Sequence, residues 1–300
     1  MKQNKFLLFL SWIGYRLSLF WKARSKFTKI IAIIFILTIF NIAGLYLIYI
    51  PSDNKIKGCL TTTMYEIDLC PASKNYVPLK QISPYMQRAI IATEDADFFT
   101  HEGFDTDGIQ HCFEKLKEKH RIVCGGSTIS QQLAKNMFLS KNKSFVRKGL
   151  EAIITVKIEN LLDKKEILER YLNVVQFGKN IFGVKQAAKF YFKKSPAQLS
   201  ILESSFLAMV LPNPEKYSMS YYKKDLSRFA NKRLKRILRD LSKTGSISQA
   251  QYESSMSELD YFLRPPAPQP DIDTEFNLDN LQMSKDEIEE FEKELSQDDE

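Results

Sequence analysis

EDADFFTHEG, Glu94–Gly103, and GGSTISQQLAKN, Gly125–Asn136, are two polar clusters about thirty residues apart, and the reading of the fold starts from them. Three carboxylates, Glu94, Asp95 and Asp97, crowd into four residues. They follow a predicted helix from Pro84 to about Thr93, with Ser83 as cap and Pro84 in its first turn. Like charges and the negative end of that helix both disfavour ionisation. At least one carboxyl is therefore expected to have a raised pKa and to suit a general base. A solvated acidic turn would present the same string. In the second cluster Thr128 and Gln131 have the spacing of a capping box, so a helix should start at about Ile129, its amides favouring an anion. Thr128, Gln132, Lys135 and Asn136 then share one side of it, although a capped surface helix accounts for that pattern equally well.

Together the clusters resemble the peptidoglycan glycosyltransferases, the family 51 enzymes that polymerise lipid II. Their first two signatures, EDxxFxxHxG and GxSTxxQQxxKN, are filled here by Glu94, Asp95, Phe98, His101 and Gly103, and by Gly125 or Gly126, Ser127, Thr128, Gln131, Gln132, Lys135 and Asn136. RKxxE follows at Arg147–Glu151, then KKEILERYLN at Lys164–Asn173 and FGVKQAAKFYF at Phe182–Phe192, five ordered matches within residues 76–255. The resemblance implies a mostly α, lysozyme-like glycosyltransferase domain with one N-terminal transmembrane helix. It also implies that Glu94 is the catalytic base and Glu151 a second catalytic acidic residue. Asp95, Phe98, His101, Ser127, Thr128, Gln132, Lys135, Asn136, Arg147 and Lys148 would bind substrate. Of these, Asp95 and His101 would chiefly shape the first loop, while Lys135, Arg147 and Lys148 would meet the leaving pyrophosphate. The implied reaction joins lipid II to a growing lipid-linked glycan with inversion at the anomeric carbon, releasing undecaprenyl pyrophosphate. No cofactor is required. A divalent cation, Mg or Mn, at the pyrophosphate is compatible with the family, but no ligand set for one is legible.

Charge is distributed unevenly. Residues 1–50 hold seven Lys or Arg and no acid, and residues 265–300 hold thirteen acids and two Lys, a net −11. The middle, residues 51–264, carries +11, which suits an anionic ligand or membrane surface. No base-reading motif is present, so nucleic acid is not expected as a partner. Ile30–Ile50 is twenty-one residues without a charge, about 32 Å as a helix, enough for a bilayer core. Its flanking cations all precede it. The expectation is an uncleaved single-pass anchor in the inner (cytoplasmic) membrane, N-terminus cytoplasmic, with the catalytic domain extracytoplasmic or periplasmic. Phe6–Trp21 reads as an interfacial helix.

The expected organisation is a basic cytoplasmic or interfacial segment (1–29), the transmembrane helix (30–50), an extracytoplasmic linker (51–75), the glycosyltransferase domain (76–264), and a Pro linker with an acidic tail (265–300). PPAPQP at Pro265–Pro270 is semi-rigid, and the tail beyond it has too little apolar surface to fold alone, so it is expected to be disordered. Ser284–Leu295 could become helical on a partner. Cys59, Cys70, Cys112 and Cys124 lie outside the membrane in this topology, and the sequence-local pairing, Cys59 with Cys70 and Cys112 with Cys124, is expected among three alternatives. Neither the cysteines nor His101, His111 and His120 have metal-ligand spacing.

In the long helices, Leu150, Ile153, Ile154, Ile158, Leu161 and Leu162, and then Ile167, Leu168, Tyr171 and Leu172, read as core. Met137, Phe138 and Leu139, beside Lys141 and Lys143, are expected to be exposed at a headgroup boundary, an ordinary loop being the alternative. Ser220-Tyr221-Tyr222-Lys223 and Lys243-Thr244-Gly245 imitate transpeptidase motifs but stand only about twenty residues apart with no SxN between them. Departures from the family pattern are small: Ser130, His111, Ser218-Met219-Ser220, and Arg233 as a loose match to a family cation. Penicillin-binding transpeptidases and divisome or elongation proteins are conceivable partners. A lysozyme-like glycan hydrolase and a non-catalytic membrane-anchored cell-wall scaffold are the rival readings.

Overall fold

The computed structural model of the protein describes Trp12 and residues 26–119, 126–142 and 144–263. The expectations for Phe6–Trp21, most of the basic segment, Cys124 and the Pro linker with its acidic tail fall outside the described residues. Two units are present, residues 1–51 and 52–300.

In the first unit, α1 (Lys26–Tyr49) is a 24-residue helix that opens with Lys26 and Lys29 and is largely apolar beyond them, and its side chains from Phe27 to Phe40 are largely exposed. Its polar groups turn inward on the backbone: Thr38 Oγ1 donates to Ile34 O (2.8 Å) and Asn41 Nδ2 to Leu37 O (2.8 Å). Among the described residues no helix is long and apolar enough to cross a membrane. The predicted helix forms, starting four residues before Ile30.

In the second unit, residues 52–75 do not form the expected linker. Short helix α2 (Asp53–Lys57) buries Ile56, and an antiparallel pair, β1 (Leu60–Thr61) with β2 (Asp68–Leu69), buries Leu69. Arg170 donates to the carbonyls of Ile56 (2.9 Å) and Lys57 (2.7 Å), and Thr63 N–H to Met137 O (2.9 Å). These contacts are with residues about 75 to 115 positions away, so no local pattern announces them. The Cys59–Cys70 disulfide closes this hairpin as predicted; Cys112 is also disulfide-bonded.

The rest is helical. α3 is Pro84–Glu94, α4 Thr106–Lys119, α5 Ile129–Phe138, α6 Phe145–Leu161 and α7 Lys164–Val174. A hairpin, β3 (Gln176–Gly178) with β4 (Ile181–Phe182), leads into α8 (Gly183–Phe192). Then come α9 (Ile201–Val210), the short α10 (Pro214–Tyr217) and α11 (Met219–Tyr222), α12 (Arg228–Lys243) and α13 (Gln249–Glu258).

α9 lies at the centre. Every residue from Leu202 to Val210 is buried, as expected of a helix with no solvent face, and α3 and α12 pack on it. α5 packs on α6 and α7 as a second group. Asn173, from KKEILERYLN, pins the entry to the domain. It accepts from Val77 N–H (2.8 Å), and its amide donates to Val77 O (2.9 Å) and Glu169 O (2.8 Å). Gly183 opens α8 at φ +75°, where a Cβ would stand 2.6 Å from Asn173 O, so only glycine fits there.

Several local expectations change. Ser83 precedes α3 but does not cap it through its side chain; its hydroxyl donates to Leu199 O (2.8 Å) and ties α3 to the start of α9. Met137 is fully buried and Leu139 nearly so, because α5 is wedged between α6 and α7, which corrects the expectation of an exposed apolar edge there. The exposed apolar residues lie further on, at Phe145 (99% exposed) and Val146 at the start of α6. Ile154 and Ile158 are core as predicted, whereas Ile153 is exposed. The imitation motifs have structural roles: Ser220 Oγ accepts from Ser227 N–H (3.3 Å), and Lys243-Thr244-Gly245 ends α12, with Gly245 at φ +68°.

Candidate active site

Glu94 is the last residue of α3 and points at α5. Gln132 Nε2 donates to Glu94 Oε2 (2.9 Å), while Gln132 Oε1 accepts from the buried Tyr171 hydroxyl on α7 (3.0 Å). Three helices thus meet in a Tyr171–Gln132–Glu94 relay. Burial pushes the Glu94 carboxyl above its ordinary range, against the opposing pull of the Gln132 hydrogen bond and the charges of Arg233 and Lys135. The expected direction is correct, but its main cause is desolvation; repulsion from Asp95 is the smallest contribution.

Asp95 joins the two clusters. One oxygen accepts from Ile129 N–H at the start of α5 (2.8 Å), and the other meets His101 Nε2 (2.8 Å). The anion expected at this helix N-terminus is therefore the protein's own carboxylate. Gly103 N–H donates to His101 Nδ1 (3.1 Å), so the hydrogen-bond pattern assigns the ring proton to Nε2, from which it donates to Asp95. Thr128 and Gln131 form the predicted capping box, and Thr128 Oγ1 also donates to Gly103 O (2.7 Å). Gly103 itself sits at φ +91° with a Cβ position 3.0 Å from Thr155 and Glu159, which accounts for a glycine at the end of the first cluster. Phe98 is fully buried, with Lys164 Nζ 4.7 Å from its ring centroid; Lys164 also pairs with Glu159 (2.8 Å), which holds Ser130.

On α6, Glu151 is 3% exposed and pairs with Arg147 Nη1 (3.2 Å) and Lys148 Nζ. Lys148 Nζ also donates to Ser127 Oγ (3.1 Å), linking the RKxxE turn to the second cluster. Arg147 Nε is buried without a hydrogen-bond partner among the described residues. Lys135, on α5 between Glu94 and this pair, is half-buried; burial lowers its pKa, and among the neighbouring charges Glu151 and Glu94 oppose that shift. No side-chain hydrogen bond holds it among the described residues.

The predicted residues therefore separate by position. Glu94 and Gln132 form one hydrogen-bonded group, Arg147, Lys148, Glu151 and Ser127 form another, and Lys135 feels the charges of both Glu94 and the α6 group. Asp95, Phe98, His101 and Thr128 are taken up by the framework beneath them. Asn136 is buried, and its backbone carbonyl accepts from Met64 N–H (3.4 Å). Of two further neighbours of Glu94, sequence read Tyr171 only as core and Arg233 only as a loose match to a family cation. Tyr171 carries the spacing of an ordinary core residue. Arg233 lies 139 positions from Glu94, and α12 brings it into a cleft with Ala92 and Thr93. Among the described residues no three His, Cys, Asp or Glu side chains could hold a metal ion. The donors around Lys135 are cations, with Glu151 already shared by two of them, so this group does not fit a divalent cation.

Removing the Gln132 amide withdraws a hydrogen bond that favours the charged carboxylate. In Gln132→Ala the Glu94 pKa should rise further, and the acid limb of any rate that needs ionised Glu94 should move to higher pH. A pH–rate profile of kcat/KM beside the parent checks this. An unmoved limb would separate Glu94 from that ionisation.

A half-buried carboxylate whose ionisation is disfavoured, beside Lys135 and Arg233 on a helical domain, is the arrangement of an acid–base enzyme site. The family model described as Transglycosylase matches residues 61–242. The chain belongs to that family. A protein of Azoarcus sp. (strain BH72) named biosynthetic peptidoglycan transglycosylase is 53% identical over 146 residues, 49% of this chain and 63% of the relative. Proteins of the same name from Dechloromonas aromatica (strain RCB) and Chromobacterium violaceum are 50% and 52% identical, over 52% and 47% of this chain and 67% and 62% of theirs. The matched stretch thus spans about two-thirds of these relatives' length.

Proposed function

We propose that this protein is a peptidoglycan glycosyltransferase that polymerises lipid II into glycan strands. The observation that carries the reading is the desolvated Glu94 carboxylate beside Lys135, a cation that also lies in the field of Arg147, Lys148 and Glu151 on α6. In the reaction the 4-hydroxyl of the incoming lipid II attacks the anomeric carbon of the lipid-linked chain. Glu94 takes the hydroxyl proton, the new glycosidic bond forms with inversion, and the bond to the pyrophosphate breaks. The pyrophosphate leaves with the electron pair, and its charge is met by Lys135, Arg147 and Lys148 rather than by a proton. Glu151 keeps Arg147 and Lys148 in place, and Arg147 retains an unused Nε–H for a ligand.

A lysozyme-like hydrolase would need a second carboxyl free to protonate the leaving oxygen. Glu151 is instead engaged by two cations, which suits a leaving group that is already anionic. We also propose that α1 is a single-pass anchor in the inner membrane, with the domain on the periplasmic side. The uncharged run Ile30–Ile50 and the seven cations preceding it support this reading, as does a substrate that is itself a lipid.

The test is incubation of the purified full chain in detergent with labelled lipid II. Glycan strands and released undecaprenyl pyrophosphate are the expected products. A folded protein that yields shortened glycan from preformed strands instead, or no product at all, would sink the proposal in favour of the hydrolase or the scaffold.

A further inference from the structure

α12 carries two stripes of the same spacing on opposite sides. Ala230, Leu234, Ile237, Leu238 and Leu241 are buried against the core. Arg228, Lys232, Lys235, Arg236, Arg239 and Lys243 form a continuous cationic row on the other side and line an open groove along the helix. The buried stripe is all that the fold needs from this helix. Of the six cations, only Arg236 meets an acid among the described residues, Asp240 at 3.7 Å on the same helix. These six of the seven cations in a 16-residue helix, with a single acid beside them, repel one another and invite an anionic partner.

The chain carries such a partner. Asp271–Glu300 has thirteen acids and two lysines, and it is joined to the last described residues by Arg264 and the run Pro265–Pro270. Leu263 lies where the groove begins: Leu259, Asp260 and Leu263 share a cleft with Leu226 and Asn231, both of which also line the groove. A six-residue Pro-rich run extends about 19 Å, and α12 is about 24 Å long, so the acids start within reach of the whole row. Tethering at that distance supplies a local concentration of about millimolar order. The row offers few apolar side chains for insertion into a lipid surface; Phe229, the largest, is stacked on Tyr217 with centroids 4.7 Å apart.

We propose that the cationic row of α12 is the docking surface for the chain's own acidic segment, Asp271–Glu300. Individual exposed pairs contribute little, so the contact is collective and salt-sensitive. The inference does not depend on which reaction the protein catalyses.

Zero-length carbodiimide coupling of the full chain in detergent, read by peptide mass spectrometry, tests it. At about 0.01 M salt, where the Debye length is about 30 Å, amide links are expected between Lys232, Lys235 or Lys243 and acids of the segment Asp286–Glu294. They should be lost at about 1 M salt, where it is about 3 Å, and in a chain with Glu287, Glu289, Glu290, Glu292 and Glu294 all changed to Gln. The Lys194–Glu203 pair (2.8 Å) supplies an internal control link that should form throughout. Control links without tail links at low salt would overturn the proposal. So would links found only between heavy- and light-isotope chains, which would assign the surface to a second copy. Binding to vesicles of anionic lipid that needs the α12 cations and is indifferent to neutralising the tail would assign it to the membrane instead.

Discussion

Glu94→Gln is expected to abolish strand polymerisation while leaving the protein folded. Gln keeps the shape and can still hydrogen-bond to Gln132, but it cannot accept the acceptor's proton. Loss of a general base costs about 10²–10⁴-fold in rate. The same change should not weaken the fold at neutral pH. A carboxyl whose folded-state pKa is raised contributes its stability below the unfolded pKa and loses it as pH rises through the folded value, so at neutral pH ionised Glu94 is a cost that Gln removes. Turnover of labelled lipid II, measured beside a thermal melt, separates the two effects. Parent-like turnover in the variant would move the base elsewhere, and a large drop in Tm would make its inactivity uninformative about chemistry.

The second large effect is on stability. Asp95→Ala should leave Ile129 N–H and His101 Nε2–H unpaired beneath the site, both of them held by one buried carboxylate in the parent. The expected cost is about 3 kcal/mol, or a fall in Tm on the order of 10 °C for a domain of this size. Asp95→Asn should recover part of it. Its Oδ1 can still accept from Ile129 N–H, but pairing its amide with His101 would require the other ring tautomer and forfeit the bond from Gly103 N–H. Denaturant titrations of the three proteins check the order parent, Asn, Ala. Equal stability of Ala and parent would show that Asp95 does not hold the two clusters together.

These two neighbours show how differently adjacent residues in one motif can act. Glu94 ends α3 and takes the Gln132 amide of α5, whereas Asp95 turns beneath it and closes the N-terminus of α5. As a string, ED gives no sign of that division. The helical start at Ile129, by contrast, is fully legible, because a capping box is made by residues three apart and needs nothing beyond them. The burial of Tyr171, Ile167, Leu168 and Leu172 was readable for the same reason: a 3.6-residue period places them on one face wherever the helix goes.

What the sequence determined by itself was therefore local: the capped helices, their apolar faces, the Cys59–Cys70 pairing and the clusters in which the reactive residues stand. Tertiary structure decided which of those residues meet. It placed Gln132 between Tyr171 and Glu94, brought Arg233 to the end of α3 from 139 residues away, buried Met137 and Leu139 where an exposed edge was expected, and folded residues 52–75 into the domain. The physical reason is one of range. Caps and periodicity are fixed by backbone geometry over a few residues, whereas the burial that raises the Glu94 pKa exists only once α3, α5, α7 and α12 have packed around it.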